Sequence, residues 1–457
     1  MKILKFGGTS IGTAEAMRRC AEIIGQELPM PQGGLVVVSA LGGCTDTLLR
    51  AMAAASRGDG AAAGELLAGL ERSHWALAGA LGIRAALAPR WEPLFQSLAG
   101  LLKGMGLVGE ASPRSRDAVL AVGETLAAHL LAAFLAHLGQ PAAFRDVLEV
   151  MATDGRHGRA RPDRSALREA CAAWRGPLTR GALWVTQGFL GSAPNGAVTT
   201  LGRGGSDTSA TLLGEALDAS EVQIWSDVDG ILSADPSLVP EARLIPVMSL
   251  REAAALSAFG AKVLHPDSLA PVSRSGLRLV VANIYRPDGG RTEIRAQAPH
   301  REPGEITSVA YKEGVACLRL PPAQDPDLFE RLFQAAGRLQ EAGAALYGLL
   351  ATPDGGLLVT RAETAEAAAV LGDLVASGLT LDRGWAVVAL VGEGLRTAQG
   401  RTLGLLAPLD EEPIAAILAG DTGVSLAFLI PDHRLAELVP KLHHHCVEQG
   451  LERIVHS

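Results

Sequence analysis

The sequence predicts an α/β protein with a mostly parallel sheet between helical layers, followed by two smaller ferredoxin-like α+β units. In the first two thirds of the 457-residue chain, short Val, Ile and Leu runs alternate with helical stretches, which is typical of a parallel sheet covered on both faces. Hydrophobic residues make up 48% and charged residues 20%, so the chain can bury sizeable cores. Near Arg295 the stretch RAQAPHREPGE is typical of a linker.

Five apolar runs before that linker are candidate strands, and the segment between the second and third is rich in Ala and Leu at helical spacing. The runs are Lys2–Phe6, Gly34–Ser39, Ala182–Phe189, Gln223–Ser226 and Leu277–Asn283, and the helical segment is Thr47–Leu138. We expect a first domain at residues 1–294.

Beyond the linker, the order strand, helix, strand, strand, helix occurs once and then begins again. The segments are Val315–Leu320, Leu328–Glu341, Ala345–Ala351, Gly355–Thr360 and Thr364–Ala376, then Ala386–Val391, Glu412–Leu418, Val424–Ile430 and Arg434–Val447. Two βαββαβ units fit this pattern, and they predict a region at 305–457 that divides into about 305–384 and 385–457.

Charge and cysteine content narrow the class of protein. Lys and Arg number 41 against 49 Asp and Glu, a net charge of −8, which disfavours nucleic acid and favours small metabolites as partners. The five cysteines are widely spaced without a C-x-x-C, so neither a disulfide framework nor a structural zinc is indicated. Glycines, prolines and polar residues interrupt the longest uncharged stretches, so we expect no membrane span and a cytoplasmic protein.

The hexapeptide KFGGTS, which contains Lys5, Gly7, Gly8 and Thr9, follows the first candidate strand and precedes a helix from about Thr13. Two adjacent glycines allow a sharp turn that brings backbone N–H groups against a ligand, and the helix N-terminus adds a positive dipole. Such a turn suits phosphate, although the lysine precedes the glycines and the motif is therefore not a Walker loop. An ordinary glycine-rich turn is the alternative.

The segment GRGGSD offers backbone donors, the Arg203 guanidinium, the Ser206 hydroxyl and the Asp207 carboxylate before another helix. Arg203 suits a carboxylate or phosphate. Asp207 either caps the helix or holds a phosphate-directed lysine. The segment SALGGCTD, which contains Ser39 and Thr45, ends the second strand, where ligands bind in open α/β sheets; a plain loop is the alternative.

Three further segments contain charged residues whose roles the spacing leaves open. Glu124 in VGE begins a predicted apolar helix, and alone it would be a partner of the helix dipole. The acids of WSDVDGI, which contains Ser226 and Asp227, help to hold a magnesium nucleotide or only build turns. Lys262 lies in the apolar run FGAKVLHP and calls for an anionic partner. The triplet at 443–445 is expected to be a solvated helix end.

In this order, KFGGTS, VVVSALGGCTD, VGE, TQGFLGS, TTLGRGGSDTSA, WSDVDGIL and FGAKVLHP resemble the aspartokinase family, within the amino-acid kinase fold. The resemblance covers residues 1–290. The C-terminal third resembles the paired ACT domains of that family, and VSLAFLIPDHRLAELVPKLHHH is most similar to the final ACT segment of its lysine-sensitive, monofunctional class.

The resemblance implies transfer of the ATP γ-phosphoryl group, as MgATP, to the β-carboxylate of L-aspartate, the entry step to lysine, methionine and threonine. It also implies a homodimer through the ACT domains, with lysine as a candidate effector. Lys5 would neutralise the transferring group and Asp207 would orient that lysine. The implied aspartate-binding residues are Ser39, Thr45, Glu124, Arg203 and Ser206, and the implied nucleotide contacts are Lys5, Gly7, Gly8, Thr9, Ser226, Asp227, Leu232, Ser237, Lys262 and Val263.

The chain departs from the family pattern in two places. Leu232 stands where the family usually has a tyrosine and Ser237 where it usually has an arginine, which predicts a weakened or altered nucleotide preference. In the first ACT unit, the effector region reads ALYGLLATPDGGLLV instead of a Ser/Glu-containing strand, which predicts weak or no inhibition by lysine.

Three alternatives stay open at this point. Another amino-acid kinase, acting on glutamate derivatives or UMP, would share the fold. A non-catalytic amino-acid sensor is supported by Leu232 and Ser237 and opposed by intact Lys5, Arg203 and Asp207. The third alternative is that the chain is the kinase part of a longer fused enzyme.

Overall fold

The computed structural model describes residues 1–260, 264–297, 304–320, 328–352, 355–395, 404–405, 407–409, 413–419 and 423–449. These residues form two compact units. The first contains Met1–Ile231, Pro246–Leu250 and 264–297, and the second contains Leu232–Ile245, 251–260 and the described residues from 304 onward. Leu232–Ile245 and 251–260 thus belong to the second unit, although both precede the predicted linker. The domain boundaries expected from the sequence stay a prediction.

An eight-stranded sheet forms the centre of the first unit, in the order β3-β4-β2-β1-β7-β9-β10-β8. All neighbouring strands are parallel except β9 and β10. A separate hairpin contains β5 and β6. The strands are β1 (Lys2–Phe6), β2 (Gly34–Val38), β3 (Ala142–Phe144), β4 (Leu183–Gln187), β5 (Leu190–Ser192), β6 (Val198–Thr200), β7 (Glu221–Ser226), β8 (Val247–Ser249), β9 (Arg278–Asn283) and β10 (Thr292–Arg295).

Each of the five predicted strands is present, and the central ones are apolar runs without alternation because helices cover both faces. Every residue of β2, GLVVV, is buried. The helices are α1 (Ala14–Glu27), α2 (Cys44–Ser56), α3 (Gly60–Ala80), α4 (Arg84–Val108), α5 (Pro113–His137), α6 (Arg164–Ala170), α7 (Ala172–Thr179), α8 (Gly205–Ala216), α9 (Leu250–Ala258) and α10 (Pro266–Ser275).

Polar side chains fix where several of these helices begin. The Thr13 hydroxyl accepts a hydrogen bond from the Ala16 amide at 3.1 Å and caps α1. At α5 the Ser112 hydroxyl caps the helix and Pro113 occupies its first position, where a missing N–H has no cost. Helix α5 therefore begins well before the sequence analysis places it.

Among the described residues, α5 is the one helix that is long and apolar enough to cross a membrane by length and composition. Its most apolar stretch is 83% buried within the protein. It contacts β3, β4 and β6 on one side and α2 and α4 on another. Such all-round burial is typical of a core helix.

The second unit is built on a six-stranded antiparallel sheet in the order β12-β13-β11-β14-β16-β15. Its strands are β11 (Ser308–Leu320), β12 (Ala345–Thr352), β13 (Gly355–Arg361), β14 (Thr380–Val391), β15 (Ala416–Ala419) and β16 (Ser425–Pro431). The helices that pack against it include α11 (Leu328–Glu341), α12 (Ala365–Ala376) and α13 (Leu435–His443), the last followed by a π-helical turn, His444–Glu448.

The segment 232–245 belongs to the core of this second unit. Ala234 and Val239 are buried in one apolar cluster with Val309 and Phe428. The predicted solvated histidine triplet is wrong at His443, which is 1% exposed and whose Nε2 lies 2.8 Å from the Ser233 hydroxyl.

Candidate active site

Four loops that follow parallel strands meet at one edge of the eight-stranded sheet. Phe6 of β1 pairs in register with Val38 of β2 and Trp225 of β7, and Val38 pairs with Gln187 of β4. Because parallel strands end at the same edge, the loops after these residues converge there. They contain the KFGGTS, SALGGCTD, TQGFLGS and WSDVDG segments.

A buried ion pair lies at this edge. The Lys5 ammonium is 2.7 Å from Asp207 Oδ1, and their side chains are 10% and 16% exposed. Lys5 comes from β1, whereas Asp207 comes from the first turn of α8. The cap of α8 is Gly204, without a side-chain hydrogen bond, so the alternative that Asp207 only caps the helix is wrong. Apart from Lys5, Asp207 Oδ1 has no hydrogen-bond partner among the described residues.

Glu124 is fully buried in the middle of α5, and not at a helix start as the sequence suggested. Its carboxylate accepts a hydrogen bond from the Ala40 amide at 2.9 Å, which ties the loop after β2 to the helix. Burial raises the pKa of this carboxyl to about 8, against the opposing effects of the Ala40 hydrogen bond and the Lys5 charge. The Lys5 effect places the ammonium near this acid.

Close backbone contacts explain why two of the glycines are needed. A Cβ on Gly8 would lie 2.4 Å from the Ala40 carbonyl oxygen, and the Gly42 amide donates to the Gly8 carbonyl at 2.9 Å. The loops after β1 and β2 are therefore in direct contact. Gly204 has a φ of +64°, and a Cβ there would lie 2.2 Å from that of His265.

The other residues implied for aspartate binding border this centre. Ser39 follows β2 and its amide donates to the Phe6 carbonyl at 3.2 Å, while Thr45 is half-buried in the first turn of α2. Ser206 opens α8 against the TQGFLGS loop, since a Cβ on Gly188 would lie 2.7 Å from its Cβ. Arg203 is exposed in the loop before α8.

The residues implied for nucleotide binding are divided between the two units. Gly7 and Thr9 follow Lys5, and Ser226 and Asp227 follow β7. Leu232 forms a β-bridge with Leu244 in the second unit. Also in the second unit, the Ser237 hydroxyl donates to Asp235 at 2.6 Å. Lys262 and Val263 lie outside the described residues, and the role of every residue named here stays a prediction.

Two features of this edge are missing from the sequence analysis. Asp229 accepts a hydrogen bond from Asn283 at 2.7 Å and forms an ion pair with Arg286, which fixes the loop after β7. Phe189 has a φ of +70°, unusual for a residue with a side chain, and its amide donates to Ser209 at 2.9 Å. In the sequence, Asp229 stands out only as one of the two acids of WSDVDGI, and nothing in the sequence indicates the positive φ of Phe189.

A cleft of approximately 740 Å³ borders the same edge between α2 and α3. Gly42, Arg50 and Arg72 are among its lining residues, whereas Lys5, Glu124 and Asp207 are not. Within the described part of the chain, no group of three or more His, Cys, Asp or Glu side chains is arranged to hold a metal.

The mostly parallel sheet, with a buried lysine on a central strand paired to the helix behind a glycine loop, is the arrangement that the resemblance to the amino-acid kinase fold predicts. The sequence profile described as "Amino acid kinase family" matches residues 1–283. Lysine-sensitive aspartokinase 3 of Escherichia coli K12 is 32% identical over 98% of this chain and 99% of that protein. The chain belongs to the aspartokinase family, and it is an aspartate kinase.

Solved structures agree with this assignment. The crystal structure of E. coli aspartokinase III in complex with aspartate and ADP matches with a TM-score of 0.85 and 31% identity, covering 97% of this chain and 99% of that one. The same enzyme with lysine and aspartate matches with a TM-score of 0.80 and 31% identity, covering 98% and 99%. The α/β fold class and the family predicted from the sequence are thereby confirmed.

The close approach at Gly8 yields a stability prediction. We expect Gly8→Ala to destabilise the protein by about 1–3 kcal/mol, because its Cβ would overlap the Ala40 carbonyl. Gly7→Ala is the matched control, since its Cβ would have an ordinary contact of 3.6 Å with the Lys5 ammonium. Thermal unfolding of the two variants beside the parent protein measures the difference. Equal midpoints would contradict the close approach.

Proposed function

We propose that this chain transfers the γ-phosphoryl group of MgATP to the β-carboxylate of L-aspartate at the edge of the sheet where Lys5 lies. The observation that carries this proposal is the buried contact of 2.7 Å between Lys5 and Asp207, beside the buried Glu124. In the reaction, a carboxylate oxygen of aspartate bonds to the γ-phosphorus while the bond to the ADP oxygen breaks. The product is 4-phospho-L-aspartate.

The proposed chemistry needs positive charge and positioning more than a base. The attacking aspartate carboxylate is already ionised near neutral pH, so no side chain has to remove a proton from it. The Lys5 ammonium would offset negative charge on the transferring group. Asp207 would hold that ammonium in place, because a buried lysine without an anion loses its charge or its position.

We propose that Glu124 and Arg203 select an amino acid. Glu124 is buried and acidic, which suits the substrate ammonium, and the guanidinium of Arg203 suits a carboxylate. Ser39, Thr45 and Ser206 would complete the aspartate site. The E. coli relative with 31% identity has been crystallised with aspartate and ADP, which supports this substrate pair for the present chain.

The nucleotide would bind through the loop after β1 and the end of β7. We propose that Gly7, Gly8 and Thr9 face the phosphates, with Ser226 and Asp227 nearby. Mg²⁺ would arrive with ATP as part of the substrate, which is how this ion usually binds in phosphoryl-transfer enzymes. Leu232, Ser237, Lys262 and Val263 remain candidate nucleotide contacts by family resemblance alone.

The second unit is proposed to be a pair of ACT regulatory domains that forms a homodimer, in a cytoplasmic enzyme of lysine, methionine and threonine synthesis. The six-stranded antiparallel sheet with helices supports the ACT assignment. The crystal structure of E. coli aspartokinase III with lysine supports an amino-acid effector. The described residues of β12 and β13 include no Asp or Glu to receive a lysine side chain, which supports weak lysine binding.

Aspartate-dependent release of ADP tests the proposed site. We expect Lys5→Ala and Asp207→Ala to lower kcat by about 100-fold or more, because each removes preorganised charge at the transferring group. Lys2→Ala, on the same strand but paired with Glu27 at 2.7 Å, is the matched control and should retain kcat. Equal activity in all variants would contradict the site. Aspartate binding without ADP release by the parent chain would favour the sensor alternative.

The raised pKa of Glu124 predicts how aspartate affinity depends on pH. With a pKa of about 8, this carboxyl is mostly protonated in the free enzyme at neutral pH, and it must ionise to bind an ammonium group. We therefore expect the KM for aspartate to fall as the pH rises from about 6.5 to about 8.5. Glu124→Gln should have a high KM that no longer follows this titration. A parent KM that is constant over this range would contradict the role of Glu124.

Feedback by lysine is expected to be weak. Because the described β12 and β13 lack acids, lysine on the order of millimolar should leave the initial rate nearly unchanged. The measurement is the rate at sub-saturating aspartate with and without L-lysine, with D-lysine as the control for ionic effects. Strong inhibition by L-lysine alone would refute this expectation.

A further inference from the structure

Asp117 is a completely buried acid on α5 that the proposed chemistry does not use. Its Oδ1 accepts a hydrogen bond from the Thr200 hydroxyl at 2.7 Å. Its Oδ2 accepts from the amides of Gly158 at 3.0 Å and Thr200 at 3.3 Å, and lies 2.8 Å from Nδ1 of His157. One carboxyl group thus connects a helix, a strand end and a loop.

Two of the three connected elements, α5 and β6, lead to the proposed aspartate site. On α5, Glu124 follows Asp117 by seven residues, two turns on the same face of the helix and about 10 Å along its axis. On the strand side, Thr200 ends β6, and Arg203 lies three residues further on. The Asp117 carboxylate therefore lies between the segments that carry the two residues proposed to read the ammonium and carboxylate groups of the substrate.

The loop at Gly158 supports the Arg203 segment from the other side. The Ala160 amide donates to the Thr200 carbonyl at 2.9 Å, and a Cβ on Gly202 would lie 3.3 Å from the Gly158 carbonyl oxygen. Asp117 holds both segments of this contact, the loop at Gly158 and the end of β6 at Thr200. Loss of its hydrogen bonds would release the Arg203 segment while leaving Glu124 on its helix.

We propose that Asp117 is a positioning residue for aspartate recognition, which fixes the distance between Glu124 and the Arg203 segment through its hydrogen bonds to Thr200 and Gly158. This inference rests on the proposed roles of Glu124 and Arg203. A buried acid is an inefficient way to stabilise a fold, because well-packed apolar residues do so at lower cost. Its value here is directional, because the four contacts of one rigid carboxyl group fix how α5 lies against the end of β6 and the loop at Gly158.

Adjacent threonines of β6 provide a matched pair of variants. Thr200→Val removes the hydroxyl that donates to Asp117, with little change in shape. Thr199→Val removes the buried contact of 2.8 Å between the hydroxyls of Thr199 and Thr153, and leaves Asp117 untouched. We expect Thr200→Val to raise the KM for aspartate about tenfold and leave the KM for MgATP within about twofold. Thr199→Val should change neither, and Thr200→Ser should restore the parent value.

Steady-state kinetics and thermal unfolding of these variants distinguish positioning from stability. Equal shifts in both KM values, or the same effect for both valine variants, would overturn the proposal.

A double mutant separates this inference from the proposed site. If Asp117 acts through Arg203, Thr200→Val should add little to the KM for aspartate in an Arg203→Ala background. Fully additive effects would overturn the role of Asp117 and leave that of Arg203 intact. An unchanged KM for aspartate in Arg203→Ala alone would instead overturn the proposed aspartate site.

Discussion

The burial of Lys5 near the end of a central parallel strand is the constraint on which the first unit depends. Removing an ammonium group from water costs several kcal/mol unless an anion compensates, and Asp207 supplies that anion at 2.7 Å. Since Asp207 lies on the first turn of α8, this helix must begin beside β1. The loop before α8 must therefore turn tightly to bring the start of the helix to Lys5. This turn uses the left-handed φ of Gly204, where a side chain would collide with His265. The lysine proposed to act in phosphoryl transfer thus also fixes the geometry of a loop, a strand and a helix.

A second buried ionisable group, Glu124, lies near the Lys5 ammonium. Burial raises the pKa of Glu124, whereas the Lys5 charge and the Ala40 amide lower it, and the balance is about 8. An acid with this pKa changes its charge easily when a cation arrives, so an incoming ammonium group would stabilise the ionised form. The same acid in an exposed position would be ionised beforehand and would attract any cation. The proposed selectivity for an amino acid would therefore depend as much on the burial of Glu124 as on its carboxyl group.

The sequence predicts five strands of the first unit correctly, because short apolar runs between helical segments are typical of buried parallel strands. Lys5 and Asp207 could be paired only by resemblance, since 202 positions separate them and no local pattern indicates a contact. The mistaken start of the helix that contains Glu124 has a physical cause: Ser112 and Pro113 form a clear cap, but the charged residues after them conceal that the helix continues from there into the apolar stretch. The prediction that the histidine triplet is solvated is wrong for His443. Adjacent residues on a helix point in different directions, and tertiary packing buries His443 but not the two histidines after it.

Helix α5 shows why apolar length alone misleads. It has the composition of a membrane span, yet Asp117 and Glu124 lie within it two turns apart, both buried. In lipid neither acid would have a partner, whereas here backbone amides of Ala40, Gly158 and Thr200 supply hydrogen bonds from three different loops and strands. The apolar surface of α5 holds the helix between the sheet and its covering helices, and the two acids then determine which loops may approach it. In this way a helix that is mostly hydrophobic organises the polar edge of the sheet.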